Sequence, residues 1–176
     1  LHQPAHPDVR LPGLAVSRLG ERDLPALAEL CAECSAFFEM VAGDCDPRRE
    51  AEDILASLPP ERTSREKHLF GFWRGTELVG AMDLGESYPG LHAWYVALFL
   101  LAPAIRQRGV GASLWAATES WIRMRGGTGV GLIVQRDNPR GRGFWETRGF
   151  TVTGETVQHV GDRVNQVWSM SRALVP

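Results

Sequence analysis

The stretch that decides the fold is "LLAPAIRQRGVGASLW", Leu100 to Trp115. An apolar run ends at Pro103, two arginines and two glycines follow, and a new apolar period begins at Val110. Downstream, Val110, Leu114, Ala117, Trp121 and Met124 recur at helical spacing, which predicts a helix with one buried stripe. Upstream, "AWYVALFLL" (93–101) is nearly all apolar and reads as a strand covered on both faces. The stretch is therefore a loop feeding the first turn of a helix. Such a turn leaves about four backbone N–H groups unpaired and carries roughly half a positive charge. Gly109 and Gly111 remove side chains that would hold a phosphate away from those amides, and Arg106 and Arg108 add fork-shaped donors. The loop reads as an anion site.

Three phosphate-loop patterns compete for it. A Walker loop needs GxxxxGK[ST], which is absent. A dinucleotide fingerprint needs GxGxxG, and "GVGASL" lacks the third glycine. The pattern [RQ]xxGx[GA] is met by "RQRGVG" (106–111).

Working outward, "LAVSRLG" (14–20) reads as a strand and "ERDLPALAELCAECSAFF" (21–38) as one amphipathic helix. In "GDCDPRREAEDILASLPP" a second helix is expected, with Asp46 as N-cap, Pro47 first, and Ala51, Ile54, Leu55 and Leu58 buried. "HLFGFWRGTELVGAMDL" predicts a hairpin turning at Arg74-Gly75-Thr76. "GVGLIVQ" is another buried strand. "NPRGRGFWETRG" is a short helix capped by Asn138, with Gly149 just past its end. The C-terminal strands turn at Gly161-Asp162. The order β-α-α-β-β-β-α-β-α-β-β predicts an α/β (α+β) fold. Its central sheet is mixed, mostly antiparallel, and flanked by about four helices.

The 176 residues fit one domain, 13–176, behind a poorly packed tail at 1–12. A net charge of −2 argues against a nucleic-acid partner. The longest uncharged apolar run, 93–105, is too short to cross a bilayer, so no membrane partner is expected. Of the three cysteines, Cys31 and Cys34 fall on one apolar helical face with Leu24, Leu27 and Phe38 and read as buried thiols. No second CxxC or clustered His pair completes a zinc set, so no metal is expected. A reducing cytoplasm is the simplest setting.

"FLLAPAIRQRGVGASLW" resembles the acyl-CoA pyrophosphate loop of the GNAT superfamily of N-acyltransferases. "VQRDNPRGRGFWETRGF" (134–150) is similar to that superfamily's later motif, with Asn138, Gly141, Phe144, Trp145, Gly149 and Phe150 at the motif positions. "RLGERDLPALAEL" looks like its first strand–helix junction, so the resemblance spans roughly 14–172. It implies a GNAT-like fold and acetyl-CoA as acyl-donor cosubstrate. It places the pyrophosphate on Arg106, Gln107, Arg108, Gly109, Val110, Gly111 and Ala112. The pantetheine would lie along Phe99, Leu100 and Leu101, near Asn138 and Trp145.

The implied reaction is direct attack of a primary amine on the thioester. Trp145 stands where many members carry a tyrosine acid. An indole N–H donates a hydrogen bond but delivers no proton at ordinary pH. Water, Tyr88, Tyr95 or His92 would fill that role. Base candidates near the strand's start are Asp83, Glu86 and His92. Glu39, Asp83 and Trp94, with Asp44, Asp46 and Tyr88 near them, suit a cationic small-molecule amine. A protein N-terminus or lysine is the alternative acceptor, and an acyl-CoA sensor without turnover is the alternative class. Pairing of two copies through sheet edges or helices is common among proteins of this type.

Overall fold

A short strand β1 (Ala15–Arg18) leads through a 3₁₀ turn at Glu21–Asp23 into α1 (Leu24–Glu33) and α2 (Ser35–Ala42). The sequence predicts one helix here. The chain breaks it at Cys34, whose φ of −103° and ψ of 19° leave the helical region. The break gives five α-helices in place of the four expected. It turns Phe38 into the same core as Leu27, Leu30 and Cys31. Helix α3 (Pro47–Ala56) starts as expected: the Asp46 carboxylate accepts from the backbone N–H groups of Arg48 and Arg49.

The computed structural model describes residues 4–58, 66–106, 109–160 and 163–174. Gln107, Arg108 and the turn expected at Gly161-Asp162 lie outside the described residues. Strands β2 (Lys67–Arg74) and β3 (Glu77–Glu86) form the predicted hairpin. Then come β4 (Ala93–Leu101), α4 (Val110–Met124), β5 (Gly129–Gln135), α5 (Pro139–Glu146), β6 (Thr151–Val160) and β7 (Arg163–Ala173). The sheet order is β1-β2-β3-β4-β5-β7-β6. Every neighbouring pair is antiparallel except β4–β5, whose helical crossover through α4 makes it parallel.

Strand alternation sends two sets of side chains to opposite faces. Phe70, Phe72, Met82, Leu84, Trp94 and Val96 pack with Trp115, Trp121 and Trp145 from α4 and α5. Val79, Ala81 and Leu100 pack beneath α1, α2 and α3. Two stripe members depart from expectation. Leu58 follows the end of α3 and is 46% exposed, and Met124, on the last turn of α4, is 52% exposed. The segment expected to be a loose tail is also packed in its described part. Pro7 is buried, Val9 and Leu11 lie against the core, and Trp121 Nε1 donates to the Pro4 carbonyl at 2.9 Å. No helix among the described residues is long and apolar enough to cross a membrane.

Candidate active site

The sheet divides in its middle. β4 and β5 pair only from Ala93↔Gly129 to Val96↔Leu132. β5 then continues along β7 as far as Gln135↔Val167. β4 continues along β3, but Asp83 faces Leu98 while Leu84 faces Val96, so Ala97 is an extra residue, a β-bulge. Beyond it, no strand among the described residues pairs with the β4 edge that faces β5.

The direction of that edge follows from one bond. Ala102 N–H donates to the Val79 carbonyl on β3, at 2.9 Å. A trans peptide sets the Leu101 carbonyl on the opposite side, toward the open edge. Alternation then turns the backbone groups of Phe99 and Leu101 to the gap and those of Leu100 to β3. The expectation that Leu100 lines the cofactor path is corrected: its backbone is committed to the β3 ladder and its side chain is 3% exposed in the α1–α3 core.

At the upper end of the gap, Gly109 caps α4 with φ +72°, a left-handed value that favours glycine. The first α-helical bond is Ser113 N–H to the Gly109 carbonyl, at 3.0 Å. The N–H groups of Val110, Gly111 and Ala112 therefore precede the helical ladder and point out of its end. Nothing lies within 4 Å of where a Gly109 Cβ would stand. Gly111 has a different reason to be glycine. Its Cβ would meet Phe144 at 3.2 Å and Leu101 at 3.3 Å, so it serves close packing of α4 on α5 and β4. Arg106 also departs from expectation: its guanidinium turns inward, Nε donating to the Leu101 carbonyl at 2.8 Å.

The later motif folds as a support. Asn138 Oδ1 accepts from Gly141 N–H at 2.9 Å and caps α5. Phe144 and Trp145 both approach Phe99, with ring centroids 5.8 and 6.0 Å away. Trp145 is 7% exposed and packs edge-on against Trp115 and Phe150. The expectation of a cofactor contact there is corrected to a core position, because the rings of Phe99, Trp115, Phe144 and Phe150 surround the indole.

On the other face of the bulge lies a cavity of about 220 Å³, lined by Ser57, Leu58, Asp83, Gly85, Tyr88, Tyr95 and Ala97. Asp83, Gly85, Tyr95 and Ala97 share it because they face the α3 side of the sheet. Asp83 is 5% exposed, and its Oδ2 accepts from Lys67 Nζ at 2.7 Å. Lys67 also donates to the Ile54 and Ser57 carbonyls at 2.7 and 2.6 Å, tying the end of α3 to β2. Burial raises the Asp83 carboxyl above its ordinary value, with Lys67 opposing. Tyr88 and Tyr95 meet edge-to-face at 5.5 Å. Burial, with Tyr88 adding to it, pushes the Tyr95 hydroxyl up to about 12. Tyr95 therefore stays protonated at neutral pH. Its period-two spacing from Ala97 puts both on one face of β4.

Four expected site residues lie elsewhere. Trp94 is 1% exposed, stacked on His68 at 5.2 Å in the α4-side core, so it touches no acceptor. Glu86 faces that same side, where its Oε2 is bonded by His68 at 2.7 Å and by Arg125 at 2.9 Å; it is no free base. His92 is exposed at the turn before β4, with φ 61° and its carbonyl taken by Thr128 N–H. Glu39 is exposed on α2 and does not line the cavity. The carbonyls around it are held from across the gap. Arg163 Nη1 donates to the Glu39 carbonyl at 2.7 Å, and Asn165 Nδ2 to the Val41 carbonyl at 2.7 Å.

The Glu86 network predicts a pH effect. Arg18 Nη2 donates to His68 Nδ1 at 2.9 Å, and arginine cannot accept, so the imidazole proton sits on Nε2, facing Glu86. Burial lowers the His68 pKa; Glu86 opposes this, while Arg18 and Arg125 add to it. The unfolded chain therefore binds the proton first, at about pH 6.5. Stability falls as pH drops below that value toward the folded one. Asp83, with a raised folded value, contributes with the opposite sign at lower pH. The wild type minus His68→Gln difference isolates the histidine. Urea midpoints at pH 7.5 and 5.5 are expected to fall more steeply in the wild type, and equal slopes would refute the account.

The comparisons agree with this geometry. The Acetyltransferase (GNAT) family model matches residues 27–150. A probable acetyltransferase from Staphylococcus epidermidis superposes with TM-score 0.72 at 14% identity, over 92% of this chain and 99% of that one. The ribosomal-protein-S18-alanine N-acetyltransferase from Escherichia coli gives 0.67 at 15%, over 91% and 93%. The PaiA N-acetyltransferase from Thermoplasma acidophilum, in complex with coenzyme A, gives 0.67 at 19%, over 92% and 99%. At these identities the neighbours speak for the fold. No curated protein matches the sequence. The divided sheet and the helix-opening loop thus lie inside the matched segment, and the chain belongs to the GNAT family of acetyltransferases, an acyltransferase by domain and fold.

Proposed function

We propose that the protein transfers an acetyl group from acetyl-CoA to the primary amine of a small molecule. The observation that carries this reading is the divided sheet: an unpaired β4 edge that begins at the Ala97 bulge and runs toward the open N-terminus of α4. An extended pantetheine arm would add to that edge as a strand does, on the backbone groups of Phe99 and the N–H of Leu101. The amides of Val110, Gly111 and Ala112 would take the pyrophosphate. The Thermoplasma acidophilum neighbour's coenzyme A supports the same choice of donor.

The donor supplies an activated acyl group; the chain supplies position, charge and proton handling. The cavity beside Ala97 would hold the amine. Asp83 accepts its proton directly or through water, its raised pKa making it a stronger base than an exposed aspartate. The Tyr95 hydroxyl, protonated at neutral pH, donates to the developing thiolate or oxyanion. About 220 Å³ is the room of about seven waters, enough for a small amine. The bonds from Arg163 and Asn165 join α2 to β7. Three free cysteines, two of them buried, fit a reducing compartment.

The enclosed Trp145 favours a second reading, binding without turnover, because it supplies no acid. A thermal-shift series with acetyl-CoA, CoA, ATP and NAD comes first. A ligand at about one hundred times its Kd stabilises by about 2.7 kcal/mol, a shift of about 5–10 °C here. A shift confined to CoA compounds is expected, followed by product in an amine screen. A larger shift with ATP or NAD would overturn the reading, and a CoA shift with no product would favour the second.

A further inference from the structure

Cys34 closes a hydrogen-bonded triangle at the upper end of the open edge. Its Sγ–H donates to the Leu101 carbonyl at 3.4 Å, and its sulfur accepts from Arg106 Nη2 at 3.3 Å. Arg106 Nε completes the ring on the same carbonyl at 2.8 Å. Leu101 is the last residue of β4, Arg106 opens the loop to Gly109, and Cys34 is the break between α1 and α2. The Leu101 carbonyl points into the gap, where neither β3 nor β5 supplies a donor. Neither neighbouring strand pairs with it. The triangle satisfies it and fixes where the loop leaves the strand. Among the described residues no carboxylate pairs with Arg106, so its charge remains to act on an anion held by the loop.

We infer that Cys34, acting through Arg106 and the Leu101 carbonyl, is a positioning residue that sets the pyrophosphate loop. The inference rests on the acetyl-CoA reading above. The thiol is suited to it because it donates and accepts at once within a buried space; Cys34 is 2% exposed. A valine of similar shape can do neither, and a serine can do both.

The test compares wild type, Cys34→Val and Cys34→Ser with two donors, acetyl-CoA and acetyl-pantetheine, which lacks the pyrophosphate. For Cys34→Val, KM and the calorimetric Kd for acetyl-CoA are expected to rise about tenfold, with kcat changed less than twofold. Acetyl-pantetheine kinetics should move less than twofold, and Cys34→Ser should recover most of the acetyl-CoA loss. An equal penalty on both donors, or a lower Tm with unchanged acetyl-CoA Kd, would make Cys34 merely structural and overturn the inference. Wild type that binds no CoA compound overturns the functional reading instead, and the inference with it.

Discussion

Lys67→Met is expected to lose about 3–5 kcal/mol of folding free energy. Both side chains of the Lys67–Asp83 pair are under 10% exposed, at 9% and 7%, so solvent screens little of the interaction. Removing the ammonium leaves a buried carboxylate without its cation. It also removes the ammonium that bridges the Ile54 and Ser57 carbonyls, which loosens the end of α3. The carboxyl, already raised by burial, rises further once the opposing ammonium is gone. Two checks follow. Urea unfolding at pH 7.5 should show the loss, and the loss should shrink as pH is lowered, because protonation relieves the buried charge. Lys67→Met with Asp83→Asn should recover part of it. A loss below about 1 kcal/mol would mean that water reaches the pair and the site is not buried in solution.

Asp83→Asn is expected to lower kcat/KM for the amine by about 10²–10³. The amide keeps a hydrogen-bonding side chain in the cavity but cannot take the ammonium proton. Acetyl-CoA affinity should be unchanged, because the β4 edge and the α4 amides lie on backbone that Asp83 does not touch. The pH profile separates this role from a stability effect. Raising the pH deprotonates the free amine in solution, so the deficit of the variant should narrow as pH rises. A deficit that is flat with pH, or that appears equally in acetyl-CoA Kd, would remove Asp83 from the chemistry and leave water chains as the base.

The elements around "RQRGVG" and "NPRGRGFWETRGF" were legible because their signals are local. Asp46 and Asn138 do cap their helices, and Gly109 does take a left-handed conformation. Site assignments along β3 and β4 were less legible, for two physical reasons. Parity along a strand says which residues share a face but not which face the helices choose. Trp94 and Glu86 went to the α4 side, where a tryptophan and a paired carboxylate are buried. The bulge at Ala97 then shifts the count by one, and nothing in "YVALF" announces it. Partners distant in sequence were invisible as well. Glu86 is claimed by His68 and Arg125, and Asp83 by Lys67, at separations no local pattern encodes. The helix break at Cys34 was hidden because the apolar period runs straight through it.

Mechanically, the sheet is two plates, β1 to β4 and β5, β7 and β6, hinged on the short ladder from Ala93 to Val96. Arg163 and Asn165 form a clasp from the second plate to α2, which rides on the first. A sheet built this way resists shear along the hinge but yields to splaying. The clasp limits how far the jaws part while leaving their inner edge bare. Amides of Phe99 and Leu101 should therefore exchange with deuterium far faster than those of Leu100, within one strand and at one depth. A ligand seated between the plates would erase that alternation, making the exchange pattern of three adjacent residues a gauge of whether the jaws are filled.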